Sequence, residues 1–399
     1  MKTRGSSREV LLVFLRLGCT SFGGPIAHLG YFQREIVERR RWCSESTFAE
    51  LIALAQSLPG PASSQVGFAL GILRAGWLGG LAAWVGFTLP SALLMLGFAY
   101  GEVLFTGLVG SSLLHGLQLA AIAVVAQAVL AMQRSLAPDR LRIAIAIGAA
   151  GVVLFAPSKF STLAAIVAGA VAGLLIYRSE KPEPITGETR TTLGLPKTAG
   201  AVAATIFFLV LVSTPLLPRF APGPGVAVFS AFYRSGALVF GGGHVVLPLL
   251  ENAVVTPGWV NQQSFLAGYG AAQALPGPLF TFGAYLGASV RPSGHPILYG
   301  LLGLVGLFMP GLLAMAAVLP FWSGLRANPL IQVALKGVNA SVVGVLIAAL
   351  YQPLWTSTVR TSSDFWLALV AFALLTIGRS KPLIVVVGTA LVCAVLKFL

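Results

Sequence analysis

The chain contains the same stretch of sequence twice, and this internal duplication constrains its fold more than any other feature. Residues 14–25 correspond to residues 232–243 at a constant offset of 218, and both stretches share Phe, Arg and Gly at matching positions. Further matches follow at nearly the same offset: residues 56–61 with 273–278 at 217, residues 80–90 with 300–310 at 220, and Gly116 with Gly337 at 221. A match that drifts so little over a hundred residues indicates two copies of one unit.

The composition places both copies in a lipid bilayer. The chain is 56% hydrophobic and only 10% charged, with a mean hydropathy of +0.87, which is typical of a polytopic membrane protein. The net charge of +14 comes from basic residues in short loops beside apolar segments, where they act as topology signals and contact anionic lipid headgroups. We therefore expect a lipid bilayer as partner and no nucleic acid.

The apolar segments predict an all-α polytopic membrane protein whose two homologous halves form an inverted repeat. A single extra helix between two sets of six segments turns the second set upside down. The thirteen predicted segments are 10–32, 47–73, 77–100, 112–132, 142–156, 160–177, 198–217, 226–248, 262–290, 296–322, 330–351, 364–378 and 382–398.

The duplication also predicts the domain organisation. The first transporter-like repeat covers residues 1–178, and the second, inverted repeat covers residues 226–399. Between them lie a polar linker at 179–197, without hydrophobic periodicity, and a connecting transmembrane helix at 198–217. The linker is basic, and we expect it on the cytoplasmic side.

Loop charges favour broken or re-entrant helices within each half. Residues 33–45 are rich in arginine and the N-terminus before segment 10–32 is also basic, so a single crossing would put one basic flank outside. The corresponding loop 249–261 contains no Lys or Arg. Both observations fit a segment that enters and leaves the membrane on one side. The alternative is a simple kinked crossing.

Two arginines lie well inside apolar segments, at matching positions of the two copies: Arg16 and Arg234. An arginine at the centre of a membrane helix costs about 2.5–3.5 kcal/mol on insertion scales, so its presence in both copies asks for a reason. A planar guanidinium can donate two parallel hydrogen bonds to an oxyanion. The alternative is snorkelling, in which the long side chain reaches the membrane surface.

Glycine and proline motifs accompany these arginines. Gly-Gly turns free the backbone and expose its N–H groups, and a half-helix that begins after a break directs its positive dipole end at an anion. The alternative is that these residues only kink packed helices. Because each motif occurs in both copies, we predict substrate-binding positions at Gly23, Gly24, Gln56, Pro59, Gly60, Gly241, Gly242, Gly243, Gln273, Pro276 and Gly277.

Few other residues can titrate within the apolar segments. His28 and His244 follow the glycine motifs, and each is either a substrate-binding, proton-coupling group or a packing histidine. Glu50 is a third proton-coupling candidate, although an acidic residue near a helix N-terminus is the favoured interpretation. The sequence shows no metal-ligand, nucleotide-binding or Ser/His/Asp motif, so we expect no enzyme activity, no metal and no cofactor.

The doubled motifs resemble the chromate ion transporter family, and in particular its long, bidomain members. The resemblance lies in Phe-Gly-Gly-Pro followed by His28 and Gln-Ser-Leu-Pro-Gly-Pro, and in Phe-Gly-Gly-Gly-His244 followed by Gln-Ala-Leu-Pro-Gly-Pro. It covers essentially the whole chain. It implies a multi-pass protein of the bacterial inner membrane that exports chromate from the cytoplasm and confers chromate resistance, with a coupling ion that is often proposed to be the proton.

The residues alone predict an anion as substrate, and chromate, a tetrahedral dianion, fits this expectation. We therefore expect a secondary transporter, an ion-coupled antiporter, that works by alternating access around a midplane site. Sulfate has the same shape and charge, so an inward carrier of sulfate or a related oxyanion is the main alternative. An intramembrane enzyme acting on a phosphorylated lipid is a distant one, since no general base or nucleophile stands out. A homodimer is left open.

Overall fold

The computed structural model describes residues 5–22, 24–101, 107–156, 161–178, 196–221, 223–240, 245–290, 295–322 and 328–396. This part of the chain is helical and contains no β-strand. The helices of the first half are α1 Ser7–Thr20, α2 Gly24–Phe32 with a π-helical continuation Gln33–Arg39, α3 Glu45–Ser57, α4 Ala62–Gly101, α5 Gly107–Leu136, α6 Arg140–Phe155 and α7 Ser161–Ile176.

A single helix, α8 Lys197–Ser213, connects the halves. The second half contains α9 Leu217–Phe220, α10 Pro224–Ala237, α11 Val246–Leu250 with a π-helical continuation Glu251–Val255, α12 Gln262–Ala274, α13 Phe282–Ser289, α14 Pro296–Val318, α15 Pro329–Ala349, α16 Thr356–Thr358, α17 Ser362–Thr376 and α18 Pro382–Leu396.

Four helical stretches are long and apolar enough to cross a membrane: Ala62–Gly101, Gly110–Leu136, Pro296–Phe321 and Pro329–Thr358. The chain is therefore a multi-pass, all-α membrane protein. Other apolar helices are shorter, among them α7 with 16 residues and α18 with 15, whereas about 20 residues span the hydrocarbon core. The thirteen apolar segments thus include several short helices, and a count of thirteen crossings stays a prediction.

The long helix α4 is two helices joined at a sharp bend. Ala75 and Gly76 leave the helical conformation, and Gly76 has a positive φ of 71°, which glycine adopts without steric cost. The bend separates the two apolar segments that the sequence predicted at 47–73 and 77–100. The part before the bend, residues 62–74, forms a hairpin with α3.

The N-terminal segment returns to the face at which it begins. Near the start of α1, Glu9 accepts hydrogen bonds from Arg74 at 3.0 Å and lies 3.9 Å from Arg40. The backbone N–H of Gly5 also donates to the carbonyl of Arg74, at 3.0 Å. Because Arg40 follows the α2 continuation and Arg74 ends the part of α4 before the bend, the chain returns twice to the end of the molecule at which α1 begins. Whether these segments are re-entrant in the membrane or kinked crossings stays a prediction.

The first helix of each half packs against a long helix through equivalent glycines. A Cβ on Gly18 of α1 would lie 2.8 Å from the carbonyl oxygen of Phe87, and a Cβ on Gly236 of α10 would lie 2.3 Å from that of Leu307. Phe87 and Leu307 are separated by the offset of 220 that relates the copies. The duplication in sequence is thus a duplication in packing.

The last two helices of each half pack against a helix of the other half, an arrangement that we call the exchange. Helix α5 of the first half packs against α17 and α18 of the second, while α15 of the second half packs against α6 and α7 of the first. A Cβ on Gly116 would lie 2.5 Å from Ala390, and one on Gly337 would lie 1.9 Å from the carbonyl oxygen of Gly169. Each half therefore completes the helix bundle of the other.

Candidate functional site

The two Pro-Gly-Pro stretches interrupt their helices, as the sequence predicted. In the first half, α3 ends at Ser57 and α4 begins at Ala62, while in the second half α12 ends at Ala274. Gly60 has a φ of +121° and Gly277 a φ of +95°, conformations that favour glycine. The flanking prolines lack a backbone donor, which prevents a continuous helix.

Each break is held by the other half through a reciprocal pair of hydrogen bonds. The N–H of Gly60 donates to the carbonyl of Val239 at 2.7 Å, and the N–H of Gly277 donates to the carbonyl of Ser21 at 2.9 Å. Ser21 follows α1 directly, Val239 lies two residues after the end of α10, and the two positions are separated by the offset of 218. This pattern, in which each copy makes the same contact to the other, is that of a two-fold relation. We call the region around Gly60 and Gly277 the junction.

The junction is tightly packed. A Cβ on Gly60 would lie 2.6 Å from the Cα of Gly311, and a Cβ on Gly277 would lie 2.7 Å from Ser91 Oγ. Ser91 and Gly311 again differ by 220. The side-chain amide of Gln65 donates to the carbonyls of Pro59 at 2.8 Å and Gly311 at 2.9 Å, so it ties the first break to the long helix of the second half.

His28 lies beside the first break. It is 1% exposed, its Nδ1 lies 3.3 Å from the hydroxyl of Ser63 in the first turn of α4, and its ring packs edge-on against Phe87 at 5.2 Å. Its Nε2 is buried and makes no hydrogen bond of ordinary geometry among the described residues, although the backbone of Ser21 lies close enough to interact with the ring. A buried, unpartnered imidazole nitrogen is costly, so it marks a site that a ligand or water can complete.

Other buried polar atoms without partners occur on the segments that meet at the first break. Among the described residues they include the hydroxyls of Ser21, Ser64 and Thr88 and the amide oxygen of Gln65. Ser63 and Ser64 lie in the first turn of α4, where backbone N–H groups are not used within the helix, whereas the N–H of Gln65 donates to the carbonyl of Pro61 at 3.0 Å. The hydroxyls and N–H groups of the two serines provide neutral donors at a half-helix N-terminus, an arrangement that suits an anion, while the amide oxygen of Gln65 only accepts.

Two residues with buried, unpartnered hydroxyls, Ser21 and Thr88, were not predicted from the sequence. Ser21 lies inside the first repeated motif, and Thr88 lies one turn before Ser91 on the helix that approaches Gly277. The sequence signal that could have identified Ser21 is its position beside a repeated glycine motif. Nothing in the sequence showed that α4 would carry Thr88 to the junction.

The two arginines lie outside the buried cluster. Helix α1 buries the face that contains Phe14, Leu17 and Gly18, and Arg16 projects from the exposed face. Arg234 is exposed in the last turn of α10. Within the described residues no hydrogen bond or ion pair joins either guanidinium to another side chain, so their predicted contact with substrate stays a prediction.

The remaining candidate positions are distributed around the junction or beyond the described part of the chain. Gln56 is exposed near the end of α3, and Gln273 hydrogen bonds with the buried Tyr269. Glu50 lies in the second turn of α3, whereas Glu45 occupies the first. Gly24 has a φ of +78° and begins α2. Predictions that fall outside the described residues are those for Gly23, Gly241, Gly242, Gly243 and His244.

No group of His, Cys, Asp and Glu in the described part of the chain could hold a metal ion. What the structure provides is a membrane-embedded junction of two related halves, with broken helices and buried neutral donors at its centre. Broken helices at the interface of repeats are the usual substrate site of secondary transporters. Fold and site thus define a membrane protein of the transporter class.

A comparison with known families agrees with the transporter class and identifies the family. The sequence model of the chromate transporter family matches the chain twice, over residues 8–174 and 226–395. The chain therefore belongs to the chromate transporter family.

Curated relatives extend over most of the chain. It is 32% identical to a chromate transport protein of Pseudomonas aeruginosa over 341 residues, which is 84% of this chain and 77% of the relative. It is 29% identical to a chromate transport protein of Cupriavidus metallidurans, covering 96% and 92% of the two chains, and 28% identical to a probable chromate transport protein of Synechococcus elongatus, covering 96% and 94%. No solved structure matches the chain.

Proposed function

We propose that this protein is a secondary transporter that exports chromate from the cytoplasm across the bacterial inner membrane, coupled to an ion such as the proton. The observation that carries the proposal is the junction, where buried neutral donors without partners gather at the N-terminal end of a half-helix. A dianion is the ligand that such a site attracts. Family membership and the printed names of the relatives favour chromate.

Antiparallel packing of equivalent helices supports an inverted repeat. Trp84 of α4 packs against Phe308 of α14 at 5.8 Å, and a Cβ on Gly300 would lie 2.5 Å from Leu96. The chain therefore runs from 84 to 96 while its neighbour runs from 308 to 300. Equivalent helices that run in opposite directions are what a second half turned upside down in the membrane would produce.

In this proposal Ser63, Ser64 and the unpartnered Nε2 of His28 contact the oxyanion, and the exposed Arg16 and Arg234 attract it toward the junction. His28 is the proton-coupling candidate that lies beside the first break, next to Ser63. Alternating access would come from motion of the junction-forming hairpins against the exchanged helices.

Flux into proteoliposomes tests the function. Chromate, sulfate and phosphate would be compared at equal concentration, with and without an imposed pH gradient. We expect chromate flux that the gradient drives. Sulfate flux at an equal or higher rate would favour the alternative carrier, and no flux of any oxyanion would contradict the proposal.

A matched pair of variants tests the site. Ser63→Ala and Ser64→Ala each remove one donor to the charged substrate, and because such a hydrogen bond is worth about 1.5–3 kcal/mol, we expect apparent affinity to fall about 10-fold or more. Ser135→Ala is the control, since its exposed hydroxyl donates only within its own helix. Unchanged transport in both junction variants would remove these residues from the site.

A further inference from the structure

A second feature, separate from the junction itself, is a cavity between the two halves. Its volume is about 330 Å³, and it is lined by Cys19, Thr20, Phe22, Tyr31, Lys381 and Pro382. The first four belong to the end of α1 and to α2, and the last two precede or begin α18. Elements of both halves therefore form its wall.

The loop that supplies Lys381 lies short of the end of α5. The side chain of Gln127 donates to the carbonyl of Leu375 at 3.2 Å, so the end of α17 lies beside Gln127 of α5. From there α5 continues to Leu136, which at 1.5 Å per residue places its end about 13 Å beyond this point. The loop stays near this level, because the N–H of Ser380 donates back to the carbonyl of Leu374 at 3.0 Å.

Lys381 is exposed and lines this cavity. An ammonium needs water or a counter-ion beside it, so the cavity suits water and a small anion.

The charge in the cavity lining is positive. Lys381 contributes an ammonium and none of the six lining residues is acidic. Arg16 lies one turn before Thr20 on the exposed face of α1, and the hydroxyl of Thr20 donates to its carbonyl at 2.8 Å. One ammonium in the lining and a guanidinium one turn away on α1, with no carboxylate in the lining, create a positive potential that concentrates anions.

The cavity adjoins the junction on the side of the first copy. Phe22 directly follows Ser21, whose carbonyl accepts the hydrogen bond from Gly277. In the second copy the positions that correspond to Cys19, Thr20 and Tyr31 are Ala237, Leu238 and Leu249. The polar lining at these three positions is therefore a property of the first copy.

We propose that this cavity is an access vestibule in which Lys381 and Arg16 bind a free oxyanion before it reaches the junction. The proposal rests on the proposed function for the identity of the oxyanion. The electrostatic capture of small anions in the cavity, however, can be measured without transport.

Cys19 is a native probe for this measurement, because it is exposed in the cavity wall. With Cys43 and Cys393 replaced by serine in the full chain, its reaction with sulfonatoethyl methanethiosulfonate, an anion, is compared with that of the trimethylammonium analogue, a cation. We expect the anionic reagent to react faster. Lys381→Gln and Arg16→Gln should each lower the ratio of anionic to cationic rates by a factor of about 3 to 10.

Lys197→Gln is the matched control, since this exposed lysine begins α8 and does not line the cavity. It should leave the ratio unchanged. Sulfate should slow the labelling of Cys19, whereas chloride at equal ionic strength should not.

Three outcomes would overturn the vestibule: no reaction at Cys19 with either reagent, equal rates that do not respond to Lys381→Gln, or no protection by sulfate. The proposed function fails by a different result. If labelling depends on charge and sulfate as expected while proteoliposomes show no oxyanion flux, the vestibule stands and the transport proposal does not.

Discussion

At the scale of single residues, the two glycines of the breaks combine backbone strain with close contact. Gly60 and Gly277 both have positive φ. At either position a Cβ atom would lie less than 3 Å from an atom of the other half. This combination explains why glycine stands at both positions. A proline-induced break alone would not require it.

We expect Gly60→Ala and Gly277→Ala to destabilise the junction by about 1–3 kcal/mol from backbone strain, with steric cost in addition. Transport should fall more than expression does. Gly148→Ala is the control, because a Cβ there meets nothing within 4 Å. Thermal stability in detergent and flux would be measured together, and wild-type behaviour of both junction variants would show that the breaks tolerate a side chain.

A second residue-scale feature is the ion-pair cluster after α2. The carboxylate of Glu35 accepts from Arg40 at 2.7 Å and from Arg39 at 3.0 Å. Partial burial works to raise the pKa of Glu35, but hydrogen bonds from Arg40 and Arg39 more than offset it and lower the pKa.

Because the pKa is lowered in the folded state, Glu35 stabilises the fold above the pKa of an unfolded glutamate, about 4.3. That contribution is lost as the pH falls through the lower, folded pKa. Glu35→Gln should cost about 1 kcal/mol at neutral pH, and melting curves should converge with wild type in acid. The exposed Glu38→Gln is the control, and a difference that does not shrink as the pH falls would refute an electrostatic cause.

At the scale of helices, the exchange of the last two helices between halves is the main tertiary feature. It depends on close backbone contact at Gly116 in α5 and Gly337 in α15. Small residues let membrane helices approach closely enough for van der Waals packing to hold them together.

Gly337→Ala should therefore separate α15 from α7, since its Cβ would lie 1.9 Å from the carbonyl oxygen of Gly169. We expect less folded protein in size-exclusion chromatography of detergent extracts. Gly97→Ala, with nothing within 4 Å of its Cβ, should fold normally. Equal yields of the two variants would mean that the exchanged contact contributes little.

At the scale of the whole molecule, corresponding positions of the two copies make different polar contacts. His115 of α5 pairs with Asp364 of α17 at 2.8 Å. Lys336, which corresponds to His115 at an offset of 221, lies over the ring of Tyr177 at 5.6 Å. The copies share a framework but differ in charge at these positions.

The inverted repeat predicts the side on which each loop lies. In a variant without native cysteines, Thr256→Cys should react with an impermeant reagent added from the periplasm, and Arg39→Cys should react only after permeabilisation. The reason is that residues 33–45 and 178–197 carry the positive charge and residues 249–261 carry none. Labelling of both from the same side would refute the inversion.

The sequence by itself determined the membrane class, the duplication, the division between segments 47–73 and 77–100, and the breaks at the two Pro-Gly-Pro stretches. These features are local: hydropathy over a segment, and glycine or proline that a continuous helix does not accommodate. A constant offset between copies also indicated which residues are equivalent.

Only the tertiary structure decided which helices pack together and which polar groups meet. The apolar faces of the copies are chemically alike, so the sequence is compatible with each half packing on itself or on the other. The exchange of α6 and α7 with α17 and α18, the bonds from Gly60 to Val239 and from Gly277 to Ser21, and the approach of His28 to Ser63 all join residues far apart in the chain. Steric fit of backbone against glycine selects among such pairings, and that fit exists only in three dimensions.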